Sequence, residues 1–275
     1  VTMTAGTVTA TPVQNVRSFA TGTGVVGYLL FNDHIATAES QLIAAFVQLQ
    51  AASVADLVID LRYNGGGFLD IASEVAYMVA GPGRTTGKAF ERMAFNDKYP
   101  DTNPITGQAL APTPFHAVSR GFSAPAGSPL PTLNLSRVFV LTGTGTCSAS
   151  ESIINGLRGV GVEVIQVGST TCGKPYGFYP QDNCGTTYFS IQLVGVNDQG
   201  FGDYTDGFRP QNTVGAGEPR LPGCSVADDF TRELGDPLEG RLAAALAYRQ
   251  TRSCPAATGI GDLRTDSHDQ TSGTW

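Results

Sequence analysis

Lysine is almost missing from this chain of 275 residues: Lys88, Lys98 and Lys174 are the only three. Histidine is equally scarce, at His34, His116 and His268, and tryptophan occurs once. Charged residues of either sign make up only 15%, against roughly 25% in an ordinary soluble domain. What charge there is leans negative, −7 in all, so the chain has no electrostatic reason to sit on nucleic acid or an anionic membrane. No run approaches the ~18–20 continuous apolar residues of a membrane span. The five cysteines (Cys147, Cys172, Cys184, Cys224, Cys254) include no CxxC pair and the histidines lie far apart, which argues against a zinc site. Five are also too few for a disulfide scaffold of this size. Cys172 with Cys184 and Cys224 with Cys254 are the expected pairs, leaving Cys147 free; five reduced, buried thiols are the alternative. Low lysine and scattered cysteine point to an exported protein, periplasmic or secreted. No basic and then apolar leader opens the sequence and Val1 is not an initiator Met, so the chain reads as a mature form or as part of something longer, in which an upstream segment could anchor it.

Glycine, by contrast, is abundant, with 34 residues, and 41% of the chain is hydrophobic, enough to bury a core. The length suits one large domain or two small ones. Short strands are expected within residues 1–30. A helical stripe then runs from Ala36 to Gln50 with Thr37 as its cap. Leu57–Leu61 is an apolar run of the buried parallel-strand kind, and Ile71, Val75, Met78 and Val79 mark the helix after it. Arg84–Phe95 holds a strand. Asp97–Leu133 is dense in Pro, Gly, Ser and Thr, and a loop that long reads as a lid or binding insertion. Val138–Leu141 is the next strand and Ser148 to about Arg158 its helix; Val162–Val167 is a third buried strand and Thr187–Val196 a longer alternating one. Asp236-Pro237 opens a helix to about Gln250. Residues 258–275 read as a polar tail behind a single 1–257 domain. Strands alternating with helices predict α/β architecture with the special turns at strand C-termini.

Three apolar strands end in unusual turns. Asn64-Gly65-Gly66-Gly67 allows positive φ and lets bare backbone N–H groups face a ligand, although a tight strand-to-helix turn needs the same residues. In Gly143 to Glu151, Ser148 stands where a helix starts, at the positive end of its dipole; Ser148-x-x-Glu151 is also a capping-box pattern. Gly168 to Lys174 fits GxxxxGK, but Pro175 replaces the magnesium-binding Ser or Thr and Tyr176-Gly177-Phe178-Tyr179-Pro180 will not form the required helix, which excludes a nucleotide-binding loop. Lys174 reads either as an exposed charge or as a base. Held against a sheet it would be desolvated, and with Ser148 it would make a Ser–Lys dyad. A Ser–His site is disfavoured, because no G-x-S-x-G elbow exists and no His lies in a turn after one of these three strands.

Gly27-Tyr28-Leu29-Leu30-Phe31, Asp60-Leu61-Arg62-Tyr63-Asn64-Gly65-Gly66-Gly67, Ser148-Ala149-Ser150-Glu151 and Gly168 through Lys174 together resemble the carboxyl-terminal processing, or tail-specific, serine proteases, over about residues 24–250. The resemblance implies a crotonase-like (ClpP/crotonase-type) α/β catalytic core, a mixed, largely parallel sheet with flanking helices. It further implies Ser148 as nucleophile, Lys174 as general base, Glu151 as the residue positioning the Lys, and an oxyanion hole of backbone N–H groups from Gly65, Gly66 and Ala149. Pro175 stands where the family often has Gly, and no peptide-binding PDZ module is recognisable ahead of the core. The implied activity is endopeptidase cleavage of proteins or peptides, including near C-termini, through an acyl-enzyme, with no metal, cofactor or nucleic acid. The alternative is a non-catalytic ligand- or peptide-binding module on the same fold.

Overall fold

The computed structural model describes residue 6 and residues 8–255; the expected tail at 258–275 lies outside them. In chain order the elements are β1 Val13–Thr21, β2 Gly24–Phe31, α1 Ala38–Ala51, β3 Asp56–Asp60, α2 Leu69–Ala80, the single turn α3 Pro82–Thr85, β4 Ala89–Ala94, β5 Thr113–Pro114, β6 Arg137–Thr142, α4 Ala149–Gly159 and β7 Glu163–Gly168. Next come the short strands β8 Tyr176–Gly177, β9 Gln181–Asn183, β10 Thr186–Tyr188, β11 Leu193–Val196, β12 Arg209–Pro210, β13 Arg220–Leu221 and β14 Gly223–Ser225, then helix α5 Gly240–Thr251.

Apolar side chains on both faces of β2, β3, β6 and β7 demand cover on both sides, and that requirement sets the architecture. The main sheet has the order β1-β2-β3-β6-β7-β14, antiparallel only at β1–β2 and parallel at every other pairing. Leu29, Phe31, Ile59 and Val140 point into a core shared with Leu42 and Phe46 of α1, Ile71 and Val75 of α2 and Ile153 of α4. Tyr28, Leu30, Val58, Phe139 and Ile165 point the other way, under Leu242 and Tyr248 of α5. This is the mixed, largely parallel α/β core expected. The register pairs Asp60 with Leu141, Leu141 with Val167, and Thr142 with Gly168. The C-terminal ends of β3, β6 and β7 are therefore level, and their three turns emerge side by side at one sheet edge.

Three expectations change, for Thr187–Val196, for the start of the last helix and for the Thr37 cap, and the Asp97–Leu133 insertion is seen with its anchors. Thr187–Val196 is not one strand: β10 pairs with β9 in a hairpin, whereas β11 joins β4 and β8 in the second sheet, because Phe189 and Ile191 between them are exposed and have no face to bury. The last helix starts at Gly240, capped by Glu239, whose carboxylate accepts the Leu242 N–H. Asp236 instead closes a local turn by accepting the Leu238 N–H. The Asp97–Leu133 segment is ordered and anchored. Within it β5 pairs with β4, and the backbone N–H groups of Arg120, Gly121, Ser123 and Ala124 all bond the buried Glu39 carboxylate of α1 at 2.7–2.8 Å. The helix-initiating Thr37 makes no side-chain cap bond.

Candidate active site

Ser148 lies where β6 hands the chain to α4, at φ 56°, ψ −118°. A non-glycine residue rarely adopts such a backbone, and where it persists the surroundings over-determine it. Here they do. The Cys147 N–H bonds the Asn64 carbonyl at 3.1 Å and the Ser150 hydroxyl bonds the same carbonyl at 3.0 Å, tying the serine turn to the glycine turn. Ser148 is half-buried and starts the helix with Ala149, whose N–H, as the first of the helix, has no partner among the described residues.

The glycine turn packs directly on this serine. A Cβ added to Gly66 would come within 2.8 Å of the Ser148 Cβ and 2.9 Å of the Ala149 nitrogen, and Gly66 sits at φ +97°, so only glycine fits. Its N–H, however, is turned inward and bonds Asn64 Oδ1 at 3.0 Å. Of the three oxyanion donors expected, the Gly65 and Ala149 N–H groups have no partner among the described residues and that of Gly66 is already engaged. Asn64 Nδ2 donates to the Phe31 carbonyl, so its Oδ1 is the acceptor, and His34 Nδ1, 2.9 Å from it, carries the proton. Burial pushes His34 down to about 4, leaving the ring neutral. This histidine lies after β2, a fourth strand end beside the three with special turns, and braces the glycine turn through His34–Gly67 backbone pairing. The sequence expectations did not include it; its one local signal is the apolar run Val25–Phe31 shortly before it.

The third turn is held by Glu151, which is fully buried. Its carboxylate accepts the Ser148 N–H at 3.0 Å, the Thr171 hydroxyl at 2.5 Å, the Gly173 N–H at 2.8 Å and the Lys174 N–H at 2.8 Å. Glu151 thus joins the serine and lysine turns by their backbones rather than by an ion pair with the lysine side chain. Lys174 is half-buried, and its Nζ lies 5.2 Å from the centre of the Phe178 ring. Among the described residues that Nζ makes no hydrogen bond, to Ser148 or to anything else. The structure brings Ser148, Ala149, Gly65, Gly66, Glu151 and the Lys174 backbone together, and leaves the ammonium turned toward Phe178, just past β8. The short strand β8, not a helix, follows Lys174, consistent with the rejection of a nucleotide loop.

Of the two expected cysteine pairs, Cys224–Cys254 forms and Cys172–Cys184 does not. Cys172 bonds Cys147, and Cys224 bonds Cys254, while Cys184 is free and exposed at the tip of the β9–β10 hairpin. The level strand ends decide this, since they set the residue before Ser148 beside the later part of the lysine turn, at a Cα–Cα distance of 5.2 Å. Cys147, Glu151 and Cys172 also group their ligand atoms closely, but both sulfurs are consumed by the disulfide. Among the described residues no helix is long and apolar enough to cross a membrane.

Residues 25–178, with all three turns, match peptidase family S41. Among solved structures, a protein of Bacteroides fragilis assigned to the S41 proteases is similar at 24% identity and a TM-score of 0.69, over 90% of this chain and 60% of that one. The photosystem II D1 C-terminal processing protease is similar at 22% identity and a TM-score of 0.51, over 74% of this chain and 48% of its own. The chain therefore spans about half to three-fifths of the length of these structures. No curated protein matches the sequence.

Proposed function

The chain belongs to peptidase family S41, and from that premise we propose that it is a serine endopeptidase that cleaves protein or peptide substrates through an acyl-enzyme, with Ser148 as nucleophile and Lys174 as general base. The observation that carries this reading is the shared acceptor. One oxygen of Glu151 takes the backbone N–H groups of both Ser148 and Lys174, so the two residue types that a Ser–Lys site needs are anchored to a single atom.

In the proposed sequence the Lys174 side chain rotates away from Phe178, and its neutral amine takes the Ser148 proton as Oγ attacks the scissile carbonyl. The oxyanion accepts from the Ala149 and Gly65 N–H groups, each such donor being worth about 3 kcal/mol of barrier in comparable hydrolases. The lysine ammonium then protonates the leaving amine, and a water deprotonated by the same lysine releases the acyl group. Glu151 acts as a positioning residue, because its oxygens are filled by three backbone N–H groups and the Thr171 hydroxyl and bond neither the Ser148 hydroxyl nor the Lys174 amine. The two disulfides support export to an oxidising compartment. Cleavage near carboxyl termini is part of the proposal and is read by comparing substrates with free and amidated ends.

Ser148→Ala and Lys174→Ala are each expected to abolish cleavage of an unfolded protein such as casein, with circular dichroism unchanged. A fluorophosphonate should label wild-type protein at Ser148 and leave Ser148→Ala unmodified. Undiminished proteolysis by Lys174→Ala would overturn the dyad. A well-folded wild type that neither cleaves nor labels would favour the binding module instead.

A further inference from the structure

Cys147 directly precedes Ser148, and Cys172 lies two residues before Lys174. Their disulfide is the only covalent link, apart from the chain itself, between the nucleophile turn and the base turn among the described residues. We propose that the Cys147–Cys172 disulfide is a positioning element of the dyad, so that opening it lowers turnover reversibly without preventing substrate binding; this rests on the serine-peptidase reading above.

Three observations converge on this role. The Cys147 N–H bonds the Asn64 carbonyl at 3.1 Å and the Cys172 N–H bonds the Thr146 carbonyl at 3.0 Å, so the bridge sits where all three turns meet. Second, the Lys174 ammonium has no polar partner among the described residues and rests over Phe178. Its approach to Ser148 therefore depends on how firmly its own backbone is held, by Glu151 on one side and the disulfide on the other. Third, downstream of Lys174 support is thin: β9 and β10 are exposed along their whole length, and Phe178, Tyr188, Phe189 and Ile191 are exposed as well. Without the bridge, the base turn is secured to the nucleophile turn by hydrogen bonds alone.

The bridge is also reachable. Cys172 is exposed and Cys147 half-buried, whereas Cys224 in the second disulfide is fully buried. Thiol–disulfide exchange requires access to a sulfur. A dithiol reductant attacks Cys172 Sγ first, forming a mixed disulfide and releasing the Cys147 thiolate, which takes up a proton. The reductant's second thiol then displaces Cys172 as its thiol. The protein gains two electrons and two protons, and the reductant leaves as its cyclic disulfide.

The experiment is a dithiothreitol titration of the wild-type protein, with the opened pair identified by alkylation and mass spectrometry. Steady-state kinetics on a fluorogenic peptide, fluorophosphonate labelling of Ser148 and far-UV circular dichroism are followed in parallel. On opening of Cys147–Cys172, kcat and the labelling rate should fall by about ten-fold or more, in line with what small misplacements of a reacting group cost, while KM and ellipticity hold. Reoxidation should restore both rates, and the C147S/C172S variant should sit at the low rate with or without dithiol. Unchanged kcat in the opened protein, or kcat lost only together with ellipticity, overturns the proposal; the second criterion serves even if the double variant does not fold. Equal hydrolysis in both redox states leaves the serine-peptidase reading intact and removes only this one. An oxidised protein that neither hydrolyses nor labels removes both.

Discussion

At the scale of single residues, the site depends on positions where one atom more or less decides the geometry. Gly66 is the sharpest case. Its positive φ and its contact with Ser148 leave no room for a methyl group, and its N–H completes the Asn64–His34 brace. Gly66→Ala is expected to displace the serine turn, to destabilise the protein by about 1–3 kcal/mol from backbone strain alone, and to slow fluorophosphonate labelling at Ser148. Urea unfolding and labelling kinetics read the two effects separately, and a labelling rate equal to wild type would contradict the close packing. Glu151 behaves differently. Three residues after Ser148, it is legible as a capping carboxylate, and it does accept the Ser148 N–H. Its bonds to Thr171, Gly173 and Lys174 come from a turn twenty and more positions away, beyond the reach of any local pattern.

Among the elements, the long segment between β4 and β6 is held by two buried acids with opposite character. Burial opposes ionisation of Glu39, but four backbone N–H groups outweigh it and keep the carboxylate below its ordinary range. Glu74 of α2 shares the Arg120 N–H with Glu39 at 2.8 Å. Burial, opposed by that N–H and reinforced by the nearby Glu39 and Asp70 charges, pushes it up to about 8. Between the ordinary 4.5 and about 8, the folded state holds a proton on Glu74 that the unfolded chain has released. Stability therefore falls as pH rises through that window and levels off above it. Glu74→Gln, with nothing to titrate, is expected to flatten the loss between about pH 5 and about pH 9. Urea midpoints of both proteins across that range measure it, and parallel profiles would exclude Glu74 as a source. Phe122 of this segment stacks on Phe68, just past the glycine turn, with ring centres 4.8 Å apart, so the segment also packs against the residue that follows the glycine turn.

For the molecule as a whole, the sheet edge bearing the turns is tied to the opposite layer through Arg62. This side chain is fully buried and bonds Asp60 at 2.9 Å, Asp228 at 2.7 Å and both oxygens of Glu239 at 2.8 and 2.9 Å, while the Tyr28 hydroxyl donates to Asp60 at 2.7 Å. The cluster joins β2, β3 and the start of α5 from residues 28 to 239. Arg62→Ala would leave Asp60 and Glu239 buried without their counter-charge and is expected to cost about 3–5 kcal/mol. Lys88→Ala, which removes an exposed lysine from Asp198 while Arg92 keeps its own bond to that carboxylate, should cost less than about 1 kcal/mol. Urea unfolding of the two variants compares them directly, and similar losses would mean that the buried cluster is not holding the layers together.

Much of this was legible in the sequence, because the signals were local. Buried strands show as unbroken apolar runs, α1 and α2 as periodic stripes, and Asn64–Gly67, Ser148–Glu151 and Gly168–Lys174 as turns whose chemistry is written in adjacent residues. Their convergence on one edge followed from the α/β pattern alone. Four matters were decided only by the tertiary structure: the partner of Cys172, the inward turn of the Gly66 N–H, the rest position of the Lys174 ammonium over Phe178, and the docking of residues 120–124 on Glu39. Each depends on which groups meet across many residues of chain. Periodicity and turn propensity constrain a residue by its neighbours in sequence, whereas a buried carboxylate or a thiol takes whatever partner the packed layers bring within bonding distance.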